Sequence, residues 1–250
     1  MQILIKFLSF ILYTLVFSSH AIETTLITDK SFELKADYFQ PKEPTNRAVL
    51  LLHQCNFNRA MYDGVGKELS LRNIHALSLD FRWFGESVDE KTNLKELAKA
   101  PRKEGQNPWA IVMEFWPQDV QLAYDFLREK VGEAGLIGVV GASCGGNQAE
   151  MLAENNSVNA ISFFSSAVVN GKDEKSIIKY NSSLSEIPTL FISAEKDGTY
   201  IGTQKAFSLN SSMKSKFISY KGNRHGHPLF KQDTHLEESI AEWFDSNLTK

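Results

Sequence analysis

The segment Gly141-Ala142-Ser143-Cys144-Gly145 constrains the fold of this chain more than any other part of its sequence. The apolar run 136–140 precedes it and predicts a short buried strand, and residues 146–153 are typical of the start of a helix. A serine in a Gly-x-Ser-x-Gly pattern between a strand and a helix occupies a sharp turn that exposes its hydroxyl. The two outer glycines are expected there because the turn crowds backbone against helix and leaves no space for a Cβ atom.

The overall composition is that of an ordinary globular protein. The chain has 250 residues, of which 42% are hydrophobic and 23% charged, and its formal net charge is −3. Neither a basic excess that would favour nucleic acid nor a block of like charges is present. The length suits one α/β domain, which we expect to span residues 22–250.

The first 21 residues predict a secretory signal peptide. An early cation, Lys6, precedes the apolar run 7–17, and Ser19-His20-Ala21 supplies the small residues of a cleavage site. A membrane anchor is the alternative interpretation, but the run is short for a span of ~20 residues and no cationic cluster follows it. We therefore expect cleavage after Ala21, export to the periplasm or the medium, and no stable membrane anchor.

Strand and helix patterns alternate along the rest of the chain. Alternating polarity in residues 32–38 predicts a strand that pairs with 24–28 in an N-terminal antiparallel hairpin. Further strands are predicted at 48–52, 76–80, 136–140, 158–164, 187–193 and 216–220, and helices at 59–72, 117–130, 200–209 and 234–247. This order indicates an α/β fold with a mostly parallel central sheet and helices on both faces.

Region 88–116 shows no clear pattern. Its aromatic residues and their neighbours fit either an acyl pocket or the core, and we assign them no role; they are Trp109, Met113, Phe115 and Trp116.

Ser143 is the candidate nucleophile, and it requires a base and an acid. A serine hydroxyl is a weak nucleophile unless a base lies within hydrogen-bond reach. His225 is the best candidate base because it follows the last predicted strand in a glycine-flanked loop, and His227 is its neighbouring competitor. Asp197 is the candidate acid, since it stands where the chain turns away after strand 187–193, with Glu195 as the alternative.

The chain order of these residues supports the assignment. Folds that place a nucleophilic serine on a sharp strand-to-helix turn, called a nucleophile elbow, present their catalytic residues in the chain order Ser, Asp, His. The preceding predicted strand ends at Ser165-Ser166, so no carboxylate competes with Asp197 from that position.

Taken together, these segments resemble the α/β-hydrolase superfamily. The resemblance covers residues 48–55, 80–87, 141–146, 195–197 and 225–226, in that order. Residues 80–87 match that superfamily's loop motif Asp-x-Arg-x-x-Gly-x-Ser. The chain is most similar to small members without a large lid, such as the dienelactone-hydrolase group. That group uses a cysteine nucleophile, whereas here Ser143 is at the centre of the turn and Cys144 follows it.

The resemblance also implies an oxyanion hole formed by the backbone N–H groups of Cys55 and Cys144. Gln54 stands where the superfamily usually has glycine, and we interpret the adjacent His53 as a buried brace for this loop. Both amides must lie ~2.7–3.1 Å from one oxygen, which under this assignment brings the two Cα atoms near disulfide distance. The two cysteines of an exported chain then either form a disulfide or pack side by side as reduced residues.

The sequence therefore predicts a periplasmic or secreted serine hydrolase that cleaves small carboxylic esters. Ser143 attacks the acyl carbon, His225 takes its proton, Asp197 orients the imidazole, and water later releases the acid. This reaction requires no cofactor and no metal. A peptidase, thioesterase or acyltransferase with the same triad is the enzymatic alternative. A binding protein on a hydrolase scaffold that has lost its activity is the alternative from another class.

Overall fold

An eight-stranded sheet forms the centre of the computed structural model, which describes residues 20–99, 108–169 and 173–249. Its strands are β1 (Ile22–Ile27), β2 (Glu33–Phe39), β3 (Arg47–Leu52), β4 (His75–Leu79), β5 (Leu136–Ala142), β6 (Ala160–Phe164), β7 (Thr189–Ala194) and β8 (Lys216–Tyr220). They lie in the order β1-β2-β4-β3-β5-β6-β7-β8. β2 pairs antiparallel with both β1 and β4. All other neighbouring strands pair in parallel.

Helices cover both faces of this sheet. They are α1 (Asp63–Leu71), α2 (Leu94–Lys99), α3 (Pro108–Met113), α4 (Trp116–Val131), α5 (Cys144–Asn155), α6 (Glu174–Ser183), α7 (Tyr200–Leu209), α8 (Pro228–Gln232) and α9 (Leu236–Asn247). A 3-10 turn at Arg59–Tyr62 precedes α1.

The sequence of the central strands follows from burial on both faces. β3 is apolar from Ala48 to Leu52, and these residues are fully buried. Leu50 pairs with Leu77 on one side and with Val139 on the other. α4 and α5 cover one apolar cluster on the sheet, and α1 and α9 cover the other. Strands of this kind occur in parallel sheets that are enclosed between helices.

The predicted architecture is confirmed, including the N-terminal antiparallel pair. The structure adds α2 and α3 in the region without a clear pattern, α6 in the stretch before β7, and α8 after β8. The apolar run of the predicted signal peptide lies in residues 1–19, outside the described residues. Among the described helices, none has the length and apolar character needed to cross a membrane.

The loop after β4 is held by its own motif residues. The Asp80 carboxylate accepts hydrogen bonds from the backbone N–H groups of Arg59 (2.6 Å) and Glu86 (2.8 Å). Gly85 has φ +55°, and a Cβ there would lie 2.1 Å from Asp80 Oδ2. The Ser87 hydroxyl donates to the Asp80 carbonyl (2.8 Å). Aspartate, glycine and serine of the motif therefore stabilise the turn itself.

The arginine of the same motif ties this loop to α4. Arg82 donates to both carboxylate oxygens of Asp119, with Nε–Oδ2 3.0 Å and Nη2–Oδ1 2.6 Å. Its guanidinium lies over the rings of Phe32 and Phe115, 4.4 and 4.6 Å from their centroids. Both partners are buried, so each charge depends on the other for compensation.

Loss of this ion pair is expected to destabilise the fold. Asp119→Ala leaves the Arg82 charge buried without a partner and should lower the free energy of unfolding by about 3–5 kcal/mol. Asp125→Ala on the same helix removes an exposed carboxylate and should change it by less than about 0.5 kcal/mol. Urea denaturation measures both, and equal stabilities of the two variants would contradict the role of the pair.

Candidate active site

Ser143 lies on a strained turn between β5 and α5. Its backbone has φ +51° and ψ −116°, a combination that residues with a Cβ rarely adopt. A Cβ at Gly141 would lie 2.3 Å from the carbonyl oxygen of Gly145, so only glycine fits. The Ser143 N–H donates to the Phe164 carbonyl of β6 (2.9 Å). The turn thus has the geometry expected of a nucleophile elbow.

The start of α5 is packed closely against the ends of two neighbouring strands. A Cβ at Gly145 would lie 2.3 Å from the Leu52 carbonyl oxygen at the end of β3. A Cβ at Gly146 would lie 2.1 Å from Ser166 Oγ, just after β6. These approaches place Ser143 at the carboxyl edge of the sheet, beside a cavity of about 490 Å³.

Asp197 and His225 meet at this edge. His225 Nδ1 lies 3.0 Å from both carboxylate oxygens of Asp197, which is nearly buried after β7. Burial raises the pKa of Asp197, but hydrogen bonds from His225 and from the Thr199 N–H (3.1 Å) outweigh it, so the pKa is lowered. The carboxylate is therefore ionised at neutral pH and faces the imidazole.

The two alternative residues have other partners. The ring of His227 packs on Phe57, with centroids 4.4 Å apart, and burial lowers its pKa. Glu195 is exposed and pairs with Lys221 at 2.6 Å. Among the described residues, no hydrogen bond joins Ser143 Oγ to His225. Contacts of this kind are often long until substrate is bound.

The structure contains a disulfide between Cys55 and Cys144, with Cα atoms 5.7 Å apart. Cys144 is the first residue of α5, and the first amides of a helix lack an acceptor within it. Cys55 lies in the turn after β3, and both cysteines line the cavity beside Ser143. The disulfide thus joins the start of α5 to the turn after β3 at the wall of this cavity.

His53 braces the loop that carries Cys55, as the sequence predicted. Its Nε2 accepts from the Phe81 N–H (3.1 Å), so the proton on Nδ1 donates to the Gln54 carbonyl (2.7 Å). The side chain is fully buried, and burial lowers its pKa to about 4. His53 is therefore neutral at physiological pH and has a structural role.

Two contacts to the histidine loop were not predicted from the sequence. Ser165 Oγ accepts from the Gly226 N–H (2.9 Å), and Gln54 Oε1 accepts from the His227 N–H (2.8 Å). In the sequence, Ser165 indicates only that no carboxylate ends β6, and Gln54 only a departure from the usual glycine. Their proximity to the loop depends on strand order, which no local pattern reports.

In the part of the chain that the structure describes, no group of three His, Cys, Asp or Glu side chains is placed to hold a metal ion.

Comparison with solved structures identifies the fold. An esterase from Pyrococcus furiosus superposes with a TM-score of 0.68 and 15% identity over 93% of each chain. A dienelactone hydrolase from Anabaena variabilis matches with a TM-score of 0.64 and 18% identity over 92% of this chain and 100% of its own. A cold-adapted esterase from an Arctic intertidal metagenomic library gives 0.62 and 14% over 91% and 93%.

No protein-family model matches the chain, and no curated protein matches it by sequence. The structural matches establish that the chain has the α/β-hydrolase fold.

The disulfide is expected to stabilise the folded protein under oxidising conditions. It links residues 89 positions apart, and by the chain-entropy model a loop of that length contributes up to about 4–5 kcal/mol. Thiol titration of denatured protein from an oxidising compartment should find no free thiol, and dithiothreitol should lower the melting temperature. The Cys55→Ala/Cys144→Ala double variant should not respond to dithiothreitol. Two titratable thiols in the wild type would contradict the prediction.

Proposed function

We propose that this protein is a serine hydrolase that cleaves small carboxylic esters through an acyl-enzyme. The observation that carries the proposal is the Asp197–His225 pair, in which an ionised carboxylate faces Nδ1 of the imidazole. This pair lies at the same edge of the sheet as Ser143, which occupies a strained turn. The α/β-hydrolase fold, which the chain shares with two esterases and a dienelactone hydrolase, is consistent with this chemistry.

In the proposed reaction His225 Nε2 removes the Ser143 proton as the serine oxygen attacks the acyl carbon. Asp197 keeps the Nδ1–H tautomer and stabilises the imidazolium that forms. The Cys55 and Cys144 amides bind the developing oxyanion. His225 then protonates the leaving alcohol, and a water molecule, activated by the same base, releases the acid and restores Ser143.

The cavity supports a small substrate. Its volume of about 490 Å³ is in the range of small-molecule sites. Its wall combines the disulfide and Met113 with the polar side chains of Asn147 and Thr199. This volume and lining are consistent with a small ester as the substrate.

Variants of the three residues test the mechanism. Ser143→Ala should abolish turnover and labelling by a fluorophosphonate probe while the protein remains folded, because only the attacking oxygen is lost. His225→Ala should be as severe, and Asp197→Asn should reduce kcat by several orders of magnitude. Rates on p-nitrophenyl esters of increasing acyl length measure these effects, and matched thioester and amide substrates distinguish the alternative activities.

His227→Ala is the matched control in the same loop. It removes a ring that packs on Phe57 and should retain most of the activity. If His227→Ala were inactive and His225→Ala active, the base would be His227 and the assignment of His225 would be wrong. Full activity of Ser143→Ala would exclude the serine mechanism.

We also propose that the chain is exported with its first 21 residues removed. Cleavage after Ala21 would leave β1 intact, since that strand begins at Ile22. The disulfide fits an oxidising compartment. N-terminal sequencing of protein from the periplasm or medium should begin at Ile22. An uncleaved N-terminus on active protein would contradict this proposal and leave the enzymatic one unaffected.

A further inference from the structure

The loop that carries His225 has little regular structure of its own. It joins β8 to α8 and turns at two glycines with positive φ, Gly222 (+99°) and Gly226 (+65°). The His225 side chain is 39% exposed, so packing alone does not fix the direction of the imidazole. The Asp197 carboxylate restrains Nδ1 of the imidazole, and contacts to the loop backbone fix the position from which His225 reaches it.

The Ser165 hydroxyl supplies the first contact. It lies at the end of β6, is fully buried, and accepts a hydrogen bond from the Gly226 N–H at 2.9 Å. Ser165 has φ +46°, in the left-handed region where a residue with a Cβ is strained. Its own N–H donates to the Ile192 carbonyl (2.7 Å), which anchors it to β7. A strained serine is thus held where its oxygen meets the loop.

The same side chain also lies near the acid. After His225 and the Thr199 N–H, Ser165 contributes to lowering the pKa of Asp197. Ser165 therefore accepts a hydrogen bond from the residue after the base and influences the acid that faces it.

Gln54 supplies the second contact. Its Oε1 accepts from the His227 N–H at 2.8 Å, and its backbone carbonyl is held by His53 at 2.7 Å. A Cβ at Gly226 would lie 1.9 Å from Gln54 Oε1, so the loop glycine makes room for this side chain. The residue that departs from the usual glycine therefore connects the Cys55 loop to the His225 loop.

We propose that Ser165 and Gln54 are positioning residues, whose side-chain oxygens hold the two consecutive amides after His225 and so direct its imidazole toward Ser143. The proposal rests on the hydrolase function proposed above. Neither side chain is assigned a bond to the substrate. Their effect is transmitted through the loop backbone to His225.

Kinetics of three variants test the proposal. Ser165→Ala and Ser165→Gly should each lower kcat by about three- to tenfold with KM little changed, the range typical of a neutral hydrogen bond. Gln54→Met, which keeps the length of the side chain without its acceptor, should lower kcat by about three- to tenfold. Ser162→Ala is the matched control, because Ser162 is also buried in β6 and its hydroxyl has no partner among the described residues.

The pair of substitutions at Ser165 separates positioning from stability. Glycine relieves the strain at φ +46° and alanine does not, so Ser165→Gly should melt at the higher temperature while both variants are equally slow. If Ser165→Gly regained activity as well as melting temperature relative to Ser165→Ala, the proposal would be overturned. Wild-type rates in both Ser165→Ala and Gln54→Met would also overturn it.

A spectroscopic measurement does not depend on turnover. The low-field proton resonance of His225 Nδ1–H, identified by its absence in His225→Gln, should shift or broaden in Ser165→Ala and Gln54→Met but not in Ser162→Ala. An unchanged resonance in both variants would overturn the positioning role even for an inactive enzyme. If the wild type cleaved no ester but the resonance changed as expected, the hydrolase function would be contradicted and the positioning role would stand.

Discussion

The left-handed backbone of Ser143 is the constraint to which the rest of the site is fitted. A residue with a Cβ at φ +51° is strained, and it persists only where its surroundings determine the turn. Here the backbone of Gly141 approaches that of Gly145 closely, and the Ser143 N–H donates to the Phe164 carbonyl of β6. Because α5 then starts directly against the end of β3, the helix amides and the Cys55 loop are brought to one edge of the sheet.

Around this turn, several polar groups have a structural task. His53 uses both ring nitrogens to connect the Cys55 loop to the backbone after β4, and a pKa of about 4 keeps it neutral in that role. Asp80 and Arg82 hold the loop after β4 to the 3-10 turn and to α4. A buried histidine, an aspartate and an arginine near a site are often interpreted as catalytic. In this protein their hydrogen bonds are directed at the scaffold.

The sequence predicted the sheet and the three proposed catalytic positions because both depend on local signals. Apolar runs mark strands that are buried on two faces, and the ends of such strands lie at one edge. Asp197 and His225 follow β7 and β8 and could be named from that position. The pattern of the sequence did not predict α6 and α8, since α6 is polar and mostly exposed and α8 has only five residues. Ser165 and Gln54 were missed because their contacts cross between strands far apart in sequence.

The contacts on the two sides of the proposed nucleophile differ in kind. On the side of the proposed oxyanion amides the restraint is covalent, through Cys55 and Cys144. On the side of the proposed base it consists of hydrogen bonds that the Gly226 and His227 amides donate to Ser165 and Gln54. In the proposed mechanism this difference has a reason: the amides must keep one geometry while charge develops, whereas the imidazole must serve first Ser143 and then the leaving alcohol. A disulfide suits a fixed donor pair, and hydrogen bonds to a glycine-containing loop permit the small movement that proton transfer in both directions requires.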